Sequence, residues 1–295
     1  MSALVAMLLL SQQTDAVDPM RLPIGSRGEV RVDLGQLVST KSGKSATVAD
    51  IAAAAGGMSY VFVGENHATK PHQQMEADIV KALVARGRRV VVGLEMYTRP
   101  KQDWLDQWST GQLSESDFLE KSEWKTQWGF PFEFYRPVFE VARENKVPMV
   151  ALNVPRDWVR QVGRQGFAGL TTEQRLQLPA DLFLGNQDHR NVFQGLMGGH
   201  PMTGTQGENM YAAQVLWDEG MADTAMKWMD RYGDKNTVFV VLAGSGHVMY
   251  RQGINYRIQR RTKKSGITVV MGQAKEPSQV AKGIGDFVYL TEGAE

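Results

Sequence analysis

The chain has 295 residues, 42% hydrophobic and 22% charged, with a net charge of +1 and no cysteine. That length and composition suit one or two globular domains with a real core. The near-zero charge removes the global basic field on which nucleic-acid binding draws, and the missing cysteines exclude disulfides, thiolate-bound zinc, iron–sulfur clusters and cysteine nucleophiles.

At the N-terminus, Ala3 to Leu10 is an apolar run followed by polar sequence. It has the character of the apolar region of an export signal without the basic residues that precede one, and it is too short to span a bilayer. A shortened signal, an amphipathic start and a cloning remnant are the readings; the first is preferred, and residues 1–20 are set aside as a signal remnant or a disordered arm. Residues 28–38 alternate as a strand does. Gly43-Lys44-Ser45 invites a phosphate-loop reading, but Val38 stands where that motif needs glycine. Thr47 is placed to cap a short helix that Gly56-Gly57 stops. A buried strand over 60–63 follows, then a helix from Pro71 to about Arg86, with Met75, Ile79 and Leu83 on one face and Gly87 ending it. Val90 to Met96 is a second apolar strand. Residues 99–135 are rich in tryptophan (Trp104, Trp108, Trp124, Trp128), which reads as core. A helix over about 132–145 leads to a strand over 147–152. Residues 155–195 read as helices, with Thr171 and Gln174 spaced as a capping box. A long helix over 207–232 carries Met210, Met221, Met226 and Met229, also expected in the core, and strands follow at 237–243, 267–271 and 287–290. The alternation of strand and helix predicts an α/β fold, a mostly parallel central sheet flanked by helices with a helical cap subdomain. The domain expectation is a single unit over 21–295, with helical insertions near 99–135 and 155–205. The basic cluster Arg260-Arg261 with Lys263-Lys264 reads as a solvated helix end.

Two segments repeat one pattern: Tyr60 to His67 and Val240 to His247 each run from an apolar strand into Gly-x-x-His. Ligands of parallel sheets bind at the carboxyl ends of the strands, so His67 and His247 are expected at one rim. Glu65 and Glu95 close adjacent apolar strands. Glu65 either caps the next helix or serves the site; Glu95 either pairs with Arg99 or Arg156 or joins Glu65 in sharing a cation. His72 starts a helix next to this loop. Arg156 follows another strand and would pair a substrate carboxylate or neutralise a glutamate. His189 and His200 lie in polar, glycine-containing sequence, as surface histidines unless that segment folds over the rim.

The chain resembles the ChaN-like haem-binding uptake proteins, within the wider TIKI/erythromycin-esterase superfamily. The resemblance rests on Gly64-Glu65-Asn66-His67 with His72 and Gln73, Gly93-Leu94-Glu95-Met96, Ala151 to Arg156, the helix from Gln214 to Ala222, and Gly244-Ser245-Gly246-His247; it spans roughly residues 30–290. It implies an exported, periplasmic or membrane-associated protein of bacterial iron and haem uptake, a bound haem, a homodimer around it, and an outer-membrane receptor or uptake system as partner. A lipid anchor on cysteine is not supported. The haem ligand implied is a tyrosine, for which Tyr97 is the candidate and Tyr211 and Tyr250 are others, with His67, His72, Arg156, His189, His200 and His247 around the cofactor. Other superfamily branches imply a hydrolase, with His67, His247, Glu65 and Glu95 holding a divalent metal (Mn, Co or Zn) or acting as base and orienting groups.

Overall fold

The computed structural model describes residues 17–199 and 202–293, so the apolar run over 3–10 and His200 lie outside it. In chain order the elements are β1 (Glu29–Val32), β2 (Leu37–Ser39), α1 (Val48–Ala54), β3 (Tyr60–Glu65), α2 (Lys70–Ala85), β4 (Arg89–Thr98), α3 (Gln102–Ser109), α4 (Glu115–Lys121), α5 (Trp124–Gln127), α6 (Phe132–Glu144), β5 (Met149–Asn153), α7 (Arg156–Gln165), α8 (Thr172–Leu176), α9 (Gln187–Leu196), α10 (Gly204–Tyr232), β6 (Thr237–Gly244), α11 (Ile254–Thr262), β7 (Gly266–Ala274), β8 (Ser278–Ala281) and β9 (Phe287–Glu292).

Seven strands form one sheet in the order β2-β9-β7-β3-β6-β4-β5, parallel except for β2. The apolar runs make this arrangement possible. Every residue of β3, β5 and β6 is buried, as strands covered on both faces must be. One face packs Val61, Val63, Val92 and Leu94 against α1, α2, α3 and α6. The other packs Phe62, Val91, Phe239 and Val241 against α10, α11 and the small antiparallel sheet of β1 and β8. A further cluster joins α7 to the first half of α10. The tryptophan-rich segment supplies core: Trp108 and Trp124 sit among Phe118, Phe132 and Phe139. Met221, Met226 and Met229 are likewise buried.

Local signals account for several boundaries. Thr47 and Asp50 form a capping box on α1, and Thr171 and Gln174 form one on α8. Pro71 sits in the first turn of α2, and Gly87 beyond its end takes φ +73°. The strand expected over 28–38 is instead two: Gly35 (φ +75°) and the bond from Gln36 N–H to the Asp33 carbonyl turn the chain between β1 and β2. Arg260 and Arg261 fall in the last turn of α11.

The outer edge of β5 is closed by a side chain. The Gln102 amide donates to the Met149 carbonyl (2.7 Å) and accepts from Ala151 N–H (2.8 Å), taking the place of a neighbouring strand.

Candidate functional site

β3 and β6 are hydrogen-bonded neighbours with Glu65 opposite Gly244, so the two Gly-x-x-His segments leave the sheet side by side. Glycine is needed there for contact. A Cβ at Gly64 would stand 2.6 Å from Val248 Cγ2 and 2.7 Å from Ser245 Cα. One at Gly244 would stand 3.0 Å from His67 Cε1. The turns open onto a cleft of about 570 Å³ walled by Pro19, Met20, Leu196 and Met249, with Glu65, Asn66, His67, Gln214, His247 and Gln273 among its polar lining.

Glu65 is buried and receives three donors. Its Oε1 accepts from His67 Nδ1 (2.7 Å) and from the Tyr135 hydroxyl (3.1 Å), and its Oε2 accepts from the Gln73 amide. A carboxylate only accepts, so His67 carries its proton on Nδ1 and, when neutral, keeps a lone pair at Nε2. The His67 side chain is 34% exposed, flanked by Trp128 and Phe130. Burial works to lower its pKa, but the bond to Glu65 and the nearby charges of Glu95 and Glu65 outweigh that and raise it. Among the described residues nothing hydrogen-bonds Nε2.

His247 is arranged differently. Its Nδ1 lies 2.6 Å from Asp218 Oδ1 and its Nε2 lies 3.3 Å from Glu95 Oε1, so both nitrogens face carboxylates. Burial alone would lower its pKa; Glu95 and Asp218 lift it to about 10, leaving an imidazolium. Glu95 also takes the Gly244 N–H (2.7 Å), and against its burial these partners hold its carboxyl at about 2. Asp218 is fully buried on α10 and bridges to His189 Nε2 (2.8 Å) on α9, with Arg257 at 3.5 Å. Glu76, one helical turn beyond Gln73 on α2, is fully buried with no hydrogen-bond partner among the described residues. Burial, reinforced by Glu65 and Glu95, pushes its carboxyl well above the usual range and so favours the neutral acid.

The structure thus brings His67, Glu65, His247 and Glu95 together at the rim. Other candidates stand elsewhere. Tyr97 is fully buried with its hydroxyl 2.8 Å from Ser122 Oγ, among Phe118, Trp124 and Phe139, and burial pushes its pKa up. It is core, with no access to the cleft. The reason is the bulge between Leu94 and Thr98, which breaks the strand alternation that would place Tyr97 on the side of Glu95. Tyr211 is tied to His189 and the Asn186 carbonyl, and Tyr250 to Leu22 N–H and the Pro19 carbonyl; both are buried. His72 is buried too: its Nδ1 accepts the Asn66 N–H (3.0 Å) and its Nε2 lies 3.1 Å from Thr291 Oγ1. Its burial drives the pKa down to about 4, so it is a neutral structural imidazole. Arg156 is exposed and donates to the Gln127 carbonyl, touching neither glutamate, while Arg99 turns to Thr224, Gly220 and Asp223. His189, expected on the surface, is 1% exposed because Asp218 gives it a buried partner. The metal cage expected from two histidines and two glutamates does not form. Among the described residues no group of three or more histidine, aspartate or glutamate side chains is placed to hold an ion, because the carboxylates are spent on His67, His247 and Gly244.

Sequence reasoning missed Asp218 and Tyr135. Asp218-Glu219 interrupts the apolar run Val215, Leu216, Met221, Ala222 of α10, and an ionisable pair inside a core-facing helix segment was the available signal.

The family model for haem-binding uptake proteins of the Tiki superfamily, ChaN, matches residues 51–258, and the chain belongs to this family. No curated protein matches the sequence. Among solved structures, ChaN of Campylobacter jejuni, described with cofacial haem binding, is 16% identical with a TM-score of 0.65, covering 90% of this chain and 98% of its own. An erythromycin esterase, EreC, in its open conformation is 11% identical with a TM-score of 0.49, covering 80% of this chain and 77% of its own. The first likeness shows the α/β fold.

Proposed function

We propose that this member of the ChaN family is a haem carrier that binds iron-porphyrin in the rim cleft, with His67 Nε2 as the group offered to the iron. The observation that carries this reading is the Glu65–His67 pair: one imidazole nitrogen is held by a buried carboxylate at 2.7 Å, the other has no hydrogen-bond partner among the described residues, and the ring lines the cleft. Metal-binding histidines typically give their second ring N–H to such a partner, which fixes the ring and raises its basicity. The cleft suits the ligand. Its volume lies within the range of small-molecule sites. Pro19, Met20 and Leu196 offer apolar surface to a macrocycle, and Phe130, 37% exposed, stands beside His67. Bound haem would supply an iron for the His67 imidazole to hold. Tyrosine ligation has no support here, since Tyr97, Tyr211 and Tyr250 are buried with their hydroxyls bonded. The proposal extends to an exported protein handing haem on within a bacterial uptake system fed by an outer-membrane receptor. A second copy would share the apolar surface around Leu196 and Phe130. No helix among the described residues is long and apolar enough to cross a membrane.

Haemin titration of the apo-protein tests the reading. A saturable Soret band with a histidine-type spectrum, lost in His67→Ala but kept in Tyr97→Phe, is expected; a non-saturating response sinks it. One observation favours a second reading, a metal-free hydrolase. His67 is a histidine with a carboxylate on Nδ1 and, among the described residues, no hydrogen-bond partner on Nε2, as a general base acting on water requires. His247 cannot fill that role, since both its nitrogens are engaged. Turnover of activated esters that depends on His67, without a haemin response, would mark this alternative.

A further inference from the structure

Resting on the haem reading, we propose that the cleft takes the ferric form of iron-porphyrin in preference to the ferrous form, and that Glu65 sets this preference. Two observations converge. The first is how firmly the carboxylate is held. His67 comes from the loop after β3, Gln73 from α2 and Tyr135 from α6, and all three donate to Glu65, which is 2% exposed. Donors from three directions keep the carboxylate from turning away from the imidazole. An imidazole whose N–H is given to a carboxylate gains anionic character at its other nitrogen. Such a ligand stabilises the more highly charged state of a metal.

The second observation is the charge of the lining. Among the described residues no lysine or arginine lines the cleft, the His247 imidazolium in its lining is held between two carboxylates, and Glu65 has no cationic partner but His67. The negative charges of Glu95 and Asp218, by contrast, are met by His247 and Arg257. The field at the cleft floor is therefore negative. The core of a ferric porphyrin carries one net positive charge and that of a ferrous porphyrin none, so this field favours the ferric form. It also leaves the propionates to solvent or to neutral donors such as Asn66 and Gln214, which fits the exposed position of Arg156 away from the cleft.

Spectroelectrochemical titration of the full chain loaded with haemin tests this, with circular dichroism reporting the fold of each variant. Glu65→Gln keeps a side-chain acceptor but removes the charge. It is expected to lose about tenfold of the ferric preference, raising the midpoint potential by about 59 mV for a one-electron couple. Tyr135→Phe removes a competing donor from Glu65, strengthens the bond to His67 and is expected to shift the midpoint the opposite way; it serves if Glu65→Gln fails to fold. An unchanged midpoint in a folded Glu65→Gln protein with a histidine-type spectrum overturns the proposal and leaves the haem reading standing, as does an upward or absent shift in Tyr135→Phe. A wild-type protein with no histidine-type haem spectrum overturns both.

Discussion

Replacing His247 by alanine should cost the fold about 3–5 kcal/mol, the usual penalty for removing one partner of a buried ion pair. The ring lies between Asp218 at 2.6 Å and Glu95 at 3.3 Å, and its loss leaves two buried carboxylates without their shared cation. A separate route gives the same size. These partners take the imidazole from its ordinary 6.5 to about 10, which corresponds to about 5 kcal/mol in favour of the charged ring. Both figures describe one interaction and are counted once. Asp218 keeps His189 and Arg257, and Glu95 keeps the Gly244 N–H, so the measured cost should fall toward the lower end. The pH dependence has a definite sign. The folded chain binds the extra proton between 6.5 and about 10, so this stability is complete below 6.5 and is lost as pH rises through the folded value. Urea unfolding followed by circular dichroism, at about pH 6 and about pH 9.5, gives the comparison. Wild type should weaken at the higher pH, His247→Ala should be weak at both, and adding Glu95→Gln to it should recover part of the loss. A His247→Ala protein within about 1 kcal/mol of wild type at the lower pH, or one that keeps the alkaline slope, would refute the reasoning.

Acid should expose His72. Its folded pKa of about 4 lies below the ordinary 6.5, so the unfolded chain binds the extra proton and stability falls as pH drops between those values; His72→Gln should flatten that part of an unfolding-midpoint curve. Gly64→Ala forces a methyl to within 2.7 Å of Ser245 Cα and should destabilise by about 1–3 kcal/mol, read from the urea midpoint; a neutral outcome would mean the two turns are not in contact. Tyr97→Phe removes a buried hydrogen bond to Ser122 and should cost about 1 kcal/mol while leaving any haem spectrum unchanged. A changed spectrum in that variant would place Tyr97 in the binding site after all.

The parallel sheet and the meeting of His67 with His247 were legible because continuous apolar runs ending in glycine mark covered strands, and such strands deliver their ends to one rim. Glu65 and Glu95 were legible for the same reason: a carboxylate closing an apolar strand needs a partner. Who that partner is depends on distant packing. His247 was matched to Asp218 by the path of α10, 29 residues earlier in the chain. Tyr97 misled because the resemblance asks for a tyrosine at the rim without saying which way the side chain turns, and the bulge after Leu94, where the register of β4 with β5 shifts, breaks the alternation that would keep it beside Glu95. His189 misled because a histidine beside Asp188 and Arg190 has the composition of surface, and only a buried acid on another helix draws it inward.

The Gln102 plug on β5 bears on self-association. Its amide satisfies the Met149 carbonyl and the Ala151 N–H, the groups through which a foreign strand would have to dock. The opposite border is the three-residue β2, too brief a template for extension. Both borders of the sheet are therefore poor seeds for amyloid-like stacking, and substituting Gln102 by alanine would reopen one of them without touching the rim cleft.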